Sequence, residues 1–310
     1  MCTAIRYGNC FCRNLDYYLS YNEQFVFMPR NYPFHFRHRK SIYRHYAILG
    51  IGIEAENFPL YFDAVNEKGL AMAGLNFPKD ALYRDQKNQK ENIASFEFIP
   101  YILSKCKSVS EARELIKNVN ITNTPFSVQY PPAPLHWIVA DKESSIVVES
   151  TKNSLKIHRN PTDILTNSPS FDVQLFNLTN YSRLSAKATE NTFSKKLTLP
   201  PYSFGMGALG LPGDLSSCSR FVRACFFLHN SPLFKGEEAI AHSFKLLNSV
   251  AMPKGSVICE NDEFEYTRYS AVIDTESLKY HYSTYNSFNV KSLSLFDFDT
   301  EQNRLISLEK

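Results

Sequence analysis

Nothing in this 310-residue chain approaches the ~18 consecutive apolar residues that a membrane span requires, and no apolar signal region follows Met1. A cytoplasmic protein is therefore expected. Glycine is scarce, at 11 residues, and no Gly/Ser-rich stretch, long charge block or internal repeat interrupts the chain. A chain of 310 residues can bury a large core as one big domain or two ordinary ones; with no linker in sight, residues 1–310 are taken as a single domain. The seven cysteines (Cys2, Cys10, Cys12, Cys106, Cys218, Cys225, Cys259) are odd in number and include no CxxC pair. That argues against a disulfide framework and against zinc, and no metal or cofactor is expected. Cys10 and Cys12 fit two thiols on one face of a strand, where side chains alternate.

Several chemistries lack their motifs. There is no phosphate loop, no GxSxG for a serine nucleophile, and no HExxH among the eight histidines. Gly205-Met206-Gly207-Ala208-Leu209-Gly210 matches GxGxxG to the letter, but a dinucleotide site needs a strand before it and a helix starting inside it. Pro200-Pro201 precede it, Pro212-Gly213 follow, and no helix begins before about Ser216, so a glycine-rich loop near a site is expected instead. A net charge of +3 is too small to imply nucleic acid, yet it does not oppose a small anionic substrate. The densest basic run, Arg37-His38-Arg39-Lys40 with Arg44 and His45, is expected to be a solvated loop.

What is abundant is aromatic: 24 Phe and 18 Tyr favour a packed sheet protein. Strands are expected at Thr3–Tyr7, Phe11–Asn14, Gln24–Met28, Tyr46–Ile53, Leu60–Val65 and Leu70–Gly74, with turns at Gly8-Asn9 and Asn66-Glu67-Lys68-Gly69. Helical spacing follows over Ala94–Cys106, and Ser108-Val109-Ser110-Glu111 reads as a capping box opening Ala112–Val119. After a Pro-rich stretch from Pro125 to Pro134, strands are expected at Leu135–Ala140, Ser145–Ser150, Ser154–His158 and Ile164–Thr166. Helices at Val173–Leu178, Ser217–His229 and Glu237–Val250 precede closing strands at Tyr266–Ile273, Lys279–Tyr285 and Val290–Asp297. Blocks of strands alternating with paired helices point to antiparallel sheets sandwiched between helices and not to a βαβ repeat.

Chemistry concentrates at the start of the chain. Cys2 follows the initiator methionine, whose removal would leave a thiol and a free α-amino group on one carbon: a nucleophile with its own base, both groups titrating near neutrality. Such a site needs a carboxylate for the amino group, a cation near sulfur, and amide donors for an oxyanion. Arg13 and Asp16 offer the first two, and a hairpin between Thr3–Tyr7 and the next strand would bring them beside Cys2. An ordinary surface ion pair would look the same. Asn76 and Asn167 each end a strand just before a proline segment, as amide donors or as turn formers. Arg220 fits either a buried cation or a solvated helix residue. His136, within an apolar run, reads as a satisfied core residue more than a base.

Ten segments then stand in one order along nearly the whole chain. They are Met1-Cys2-Thr3, Arg13-Asn14-Leu15-Asp16, Tyr21-Asn22-Glu23, Pro29-Arg30-Asn31-Tyr32, Asn66-Glu67-Lys68-Gly69-Leu70, Ala73-Gly74-Leu75-Asn76-Phe77, Leu135-His136-Trp137, Ser145–Lys152, Leu165-Thr166-Asn167-Ser168-Pro169 and Gly210-Leu211-Pro212-Gly213-Asp214. In that order they resemble the choloylglycine hydrolase family, the bile salt hydrolases and penicillin V acylases of the N-terminal nucleophile hydrolase superfamily, with the bile salt hydrolases of gut bacteria nearest.

The resemblance implies an α+β fold, a four-layer αββα sandwich, assembled as a homotetramer, with the mature chain starting at Cys2. It implies Cys2 as nucleophile, its α-amino group as base, and Arg13 and Arg220 beside the sulfur and the substrate carbonyl. Asp16 would hold the α-amino group, Asn76 would donate to the oxyanion, and Asn167 would fix the amino terminus and the tetrahedral intermediate. The implied substrates are bile acids conjugated to glycine or taurine. Penicillin V or N-acyl homoserine lactones are alternatives for the same chemistry, and a non-catalytic binder of amphipaths is a third. Asn76 favours bile salts, since acylases often have Tyr there. Leu15 departs from the usual Phe or Met and bears on substrate fit. Phe25, Phe62, Phe126 and Tyr130 are candidates, with Leu15, for an apolar wall against the steroid.

Overall fold

The first two strands are made by their turn. In the computed structural model, which describes residues 1–260 and 262–309, β1 (Cys2–Tyr7) and β2 (Cys10–Tyr17) fold back across Gly8-Asn9. Gly8 takes a φ of +56° there, a conformation in which a side chain is strained. Cys2 falls opposite Leu15, and Ala4 opposite Arg13. The chain continues with β3 (Gln24–Met28), β4 (Ile48–Ala55), β5 (Phe58–Asn66), β6 (Ala71–Asn76) and β7 (Glu91–Ala94). Helices α1 (Phe98–Lys105) and α2 (Val109–Ile116) lead to β8 (Val119–Thr122), β9 (Leu135–Ala140), β10 (Ser145–Ser150), β11 (Leu155–Arg159) and β12 (Ile164–Leu165). Helices α3 (Phe171–Leu178), α4 (Ser217–His229) and α5 (Gly236–Asn248) precede β13 (Tyr266–Asp274), β14 (Lys279–Thr284), β15 (Ser287–Ser294) and β16 (Ile306–Glu309).

Two antiparallel sheets result, one ordered β12-β1-β2-β13-β14-β15 and the other β11-β10-β9-β6-β5-β4-β3-β16. Their inner faces pack together through residues such as Phe11, Leu15, Phe25, Leu49, Ile51 and Tyr280. The outer face of the smaller sheet lies under α4 and α5, where the Asn14 side chain donates to the Leu247 carbonyl. The outer face of the larger sheet lies under α1 and α2, where Trp137 meets Phe98 edge-on at 4.7 Å. This is the expected αββα order, with the strand faces assigned by alternation. Along β2, Arg13 and Leu15 enter the cleft between the sheets, while Asn14 turns toward the helices. Cys10 and Cys12 also lie on the helix side, near Ser243 of α5, and burial raises both thiols, Cys10 to about 11. Among the described residues no helix is long and apolar enough to cross a membrane.

Several local expectations are corrected. Ser108 does cap a helix, accepting from the Glu111 amide, but α2 starts at Val109, and Val119 belongs to a strand. That strand, β8, pairs in parallel with β7, a ribbon the sequence pattern did not show. Val290–Asp297 ends in a 3-10 turn over Leu295–Asp297, and β16 was unforeseen. The basic run is engaged: Arg37 lies over Phe96 and Phe126, and Arg39 over Tyr101 while pairing with Glu91. Their apolar stems and cationic heads use the aromatic surface better than free solvent would. The GxGxxG segment is a loop, as expected, but it lies outside the cavity that holds Cys2.

Candidate active site

Because Cys2 opposes Leu15, both side chains enter the cleft between the sheets, in a cavity of ≈ 90 Å³ that Arg13, Tyr17, Tyr21, Phe62 and Asn76 also line. The Cys2 sulfur accepts from Arg13 Nη2 at 3.4 Å. The same nitrogen donates to the Gly74 carbonyl at 2.9 Å, and Nη1 donates to the Phe62 carbonyl and stands 3.3 Å from Asp63 Oδ2. Asp63 in turn accepts from Tyr269 (2.5 Å) and Tyr280 (3.2 Å). Burial works against the Arg13 charge, but Tyr269, Cys2 and Asp63 outweigh it and the guanidinium is held protonated. Asp63 was missed in the sequence. Its signal was there: a lone acid inside the apolar run of β5 must have a partner once buried.

The backbone side of Cys2 is equally enclosed. Its nitrogen donates to Asn167 Oδ1 at 2.8 Å, an oxygen that also accepts from Arg220 Nη2 at 2.7 Å. Asn167 Nδ2 donates to the Asn76 carbonyl at 2.8 Å, tying the two strand-end asparagines together. Asn76 lines the cavity, and among the described residues no hydrogen bond is made by its side-chain amide. Arg220, fully buried on α4, donates through Nη1 to the Cys2 carbonyl and to Thr3 Oγ1, both at 2.6 Å. Its hydrogen bonds thus go to backbone carbonyls, Thr3 and Asn167 and not to the sulfur, although the Cys2 thiol is among the groups that act on its charge. It enters from the helical layer, and the strand itself separates it from the cleft.

Asp16 is fully buried, with Oδ1 accepting from Thr267 at 2.6 Å and Oδ2 3.9 Å from Arg220. Oδ2 has no hydrogen-bond partner. Burial pushes its carboxyl up, against the pull of Arg220. With Met1 present, the terminal ammonium donates to the Asp16 carbonyl at 2.7 Å and pairs with Glu265, and burial lowers its pKa. While Met1 is in place, then, the Asp16 carboxylate does not hold the terminal ammonium. Glu265 and Thr267, at the start of β13, carried no motif that would have revealed them.

Six expected residues, Cys2, Arg13, Asp16, Asn76, Asn167 and Arg220, therefore meet in one buried network. Of the apolar candidates, Leu15 and Phe62 line the cavity and three do not. Phe25 is core between the sheets, edge-on to Tyr280 and Tyr282 at 5.5 and 4.8 Å. Phe126 lies beyond the larger sheet against Phe58 and Phe96, and Tyr130 packs beside Phe126 at 6.2 Å. His136 is a satisfied core residue, with both ring nitrogens engaged. A thiol beside a guanidinium, a nitrogen held by polar acceptors, and an uncommitted amide on one cleft suit attack on an acyl carbon.

Comparison with known proteins agrees with this geometry. Residues 2–307 match the model for linear amide C–N hydrolases, choloylglycine hydrolase family. The bile salt hydrolase/transferase of Lactiplantibacillus plantarum is 48% identical over 99% of this chain and 96% of its own length. The crystal structure of the C2A conjugated bile acid hydrolase of Clostridium perfringens superposes with a TM-score of 0.92 at 32% identity, covering 100% of this chain and 97% of that one. A penicillin V acylase from Agrobacterium tumefaciens shares the fold, with a TM-score of 0.79 at 22% identity over 100% of this chain and 91% of that one. The chain belongs to the choloylglycine hydrolase family of linear amide C–N hydrolases.

Proposed function

We propose that this protein hydrolyses the amide that links a steroid acyl group to glycine or taurine in conjugated bile acids, through a thioester on Cys2. The observation that carries the proposal is the double orientation of Cys2: sulfur into the cleft beside Arg13, nitrogen onto Asn167. Loss of Met1 would make that nitrogen a primary amine. Asp16 Oδ2, buried without a partner, would then be the acceptor for its charged form. Burial, which lowers the Met1 ammonium, would act on that amine in the same direction, and Asp16 in the opposite one.

In the proposed reaction the amine takes the thiol proton as sulfur attacks the amide carbon. The Asn76 side chain donates to the oxyanion. Collapse breaks the carbon–nitrogen bond, and the α-ammonium returns its proton to the departing amino acid. Water then attacks the thioester, giving its proton to the amine, and the free acid leaves as the thiol reforms. The cavity is small against the roughly 300–1,000 Å³ of typical ligand sites, so it takes the reacting carbonyl. The steroid would extend along Leu15, Phe62 and Tyr21 toward the rim.

The relatives favour bile salts over penicillin V, because the acylase shares only the fold. The cytoplasm and a single working unit from Cys2 to Lys310 complete the reading, both sheets contributing to the site. A homotetramer is part of it. Phe193, Leu197, Leu199, Tyr202, Phe204 and Leu209 are all solvent-exposed along one segment of the chain. A second copy of the chain would cover it.

The test is release of glycine or taurine from conjugated bile salts by the purified protein, beside penicillin V, an N-acyl homoserine lactone and a Cys2→Ser control. Release that the control lacks is expected. Turnover of penicillin V or the lactone alone would move the assignment, and turnover by the control would refute the role of Cys2.

A further inference from the structure

Behind the cleft lies a buried pair that the proposed chemistry does not use. His136 on β9 and Glu149 on β10 are both fully enclosed, with His136 Nδ1 3.2 Å from Glu149 Oε1. The other ring nitrogen, Nε2, donates to the Thr166 carbonyl at 2.9 Å. That carbonyl shares its peptide plane with the Asn167 amide, which donates to Ser217 Oγ at 2.9 Å. The plane is therefore pinned at both edges, by His136 on one side and by the first residue of α4 on the other.

Glu149 fixes the far side of the same loop. Its Oε1 also accepts from the Phe171 amide at 2.9 Å, where α3 begins, and its Oε2 faces His158 Nε2 at 3.3 Å. His158 reaches Asp172 Oδ1 through its other nitrogen at 3.2 Å. Residues 167–170 thus lie between two anchors, both leading to one buried pair. The pair also reaches the other asparagine. The His136 ring stacks on Phe77, the residue after Asn76, with centroids 4.2 Å apart and planes 7° from parallel.

We infer that His136 and Glu149 are positioning residues for the reaction, a brace that sets Asn167, and through it the Cys2 nitrogen, and that backs Asn76 through Phe77. The inference rests on the amide-hydrolase reading above. Desolvating an ion pair is poorly repaid as stability alone, since apolar residues of the same volume often do as well. Holding a reacting group is a separate demand, because a misplacement of ~1 Å can cost about a hundredfold in rate.

The test compares His136→Phe, which keeps the ring and its stacking but removes both N–H groups, with His136→Gln, whose amide reaches the Nε2 position. Both are read against wild type, with kcat and KM taken on whichever amide the wild type hydrolyses, conjugated bile salt or penicillin V. The near-UV circular dichroism spectrum is taken in parallel, because a local loss of positioning leaves the packed aromatic core unchanged. For His136→Phe, kcat should fall roughly 10- to 100-fold while KM stays within about twofold and the near-UV spectrum is retained, and His136→Gln should recover most of the loss.

Wild-type kcat in His136→Phe, or a loss that His136→Gln leaves unrepaired, would overturn the brace. So would a KM that moves together with kcat and a lost near-UV spectrum, the mark of general collapse. If His136→Phe does not fold, Glu149→Gln carries the test at constant volume: a several-fold loss in kcat at unchanged KM supports the brace, and wild-type kcat refutes it. A wild type active on penicillin V alone would correct the substrate and leave the brace readable. Silence on both substrates would overturn both claims.

Discussion

Asn76 lines the cavity with its side-chain amide in no hydrogen bond among the described residues, while its backbone carbonyl is held by Asn167. A preorganised donor of this kind acts only as charge develops on the attacked oxygen, so its removal should cost rate and little else. We expect Asn76→Ala to lower kcat by roughly 10²–10³ with its melting temperature within a few degrees of wild type. Near-wild-type turnover in the folded variant would remove Asn76 from the mechanism. Cys2, Arg13, Asp16, Asn76, Asn167 and Arg220, all legible in the sequence as candidates, converge in the structure. The sequence concealed what holds them. Thr267 and Glu265 are residues of common type whose importance comes only from long-range pairing of β13 with β2. The bonds of Arg220 to Thr3 and the Cys2 carbonyl were hidden for a related reason: helical spacing tells that a face is buried, but not which strand it meets.

Among the elements, β3, β9, β10 and α4 have the bounds that their patterns predicted. The parallel β7–β8 ribbon has four residues per strand, too few for periodicity to register. Phe25 illustrates a different limit. Nearly all of β3 is buried on both faces, so alternation gives no sign of which residues face the site. The same buried strands make a pH prediction. Burial alone would raise the Glu149 carboxyl, but the hydrogen bond with His136 and the close approach of His158 overcome that and hold it at about 2. A carboxyl lowered on folding adds stability above its unfolded pKa of ~4.3, and loses that contribution as pH falls toward its folded value. The melting-temperature advantage of wild type over Glu149→Gln should therefore be full near pH 6 and shrink as pH drops below about 4.5. An advantage that stays constant down to pH 3 would show that the carboxylate is not held in this way.

At the scale of the molecule, the αββα order was legible because blocks of strands and paired helices leave few other ways to bury their apolar faces. The cleft was not, since it forms where β2, β5 and β6 from two sheets meet. The exposed segment from Phe193 to Leu209 gives the proposed tetramer a direct test. Replacing Phe193 and Phe204 with Ser should reduce the mass measured by light scattering from four copies toward one or two. A wild-type protein that is monomeric at micromolar concentration would refute the assembly.

The most direct measurement concerns Met1. Glycine and taurine release should be assayed on two preparations of the same chain, one shown by intact mass to begin at Cys2 and one retaining Met1. The account predicts that only the processed chain turns over, because only there is the Cys2 nitrogen an amine able to take the thiol proton. Equal turnover by the Met1-retaining protein would contradict it, and with it the claim that this enzyme carries its base on its own nucleophile.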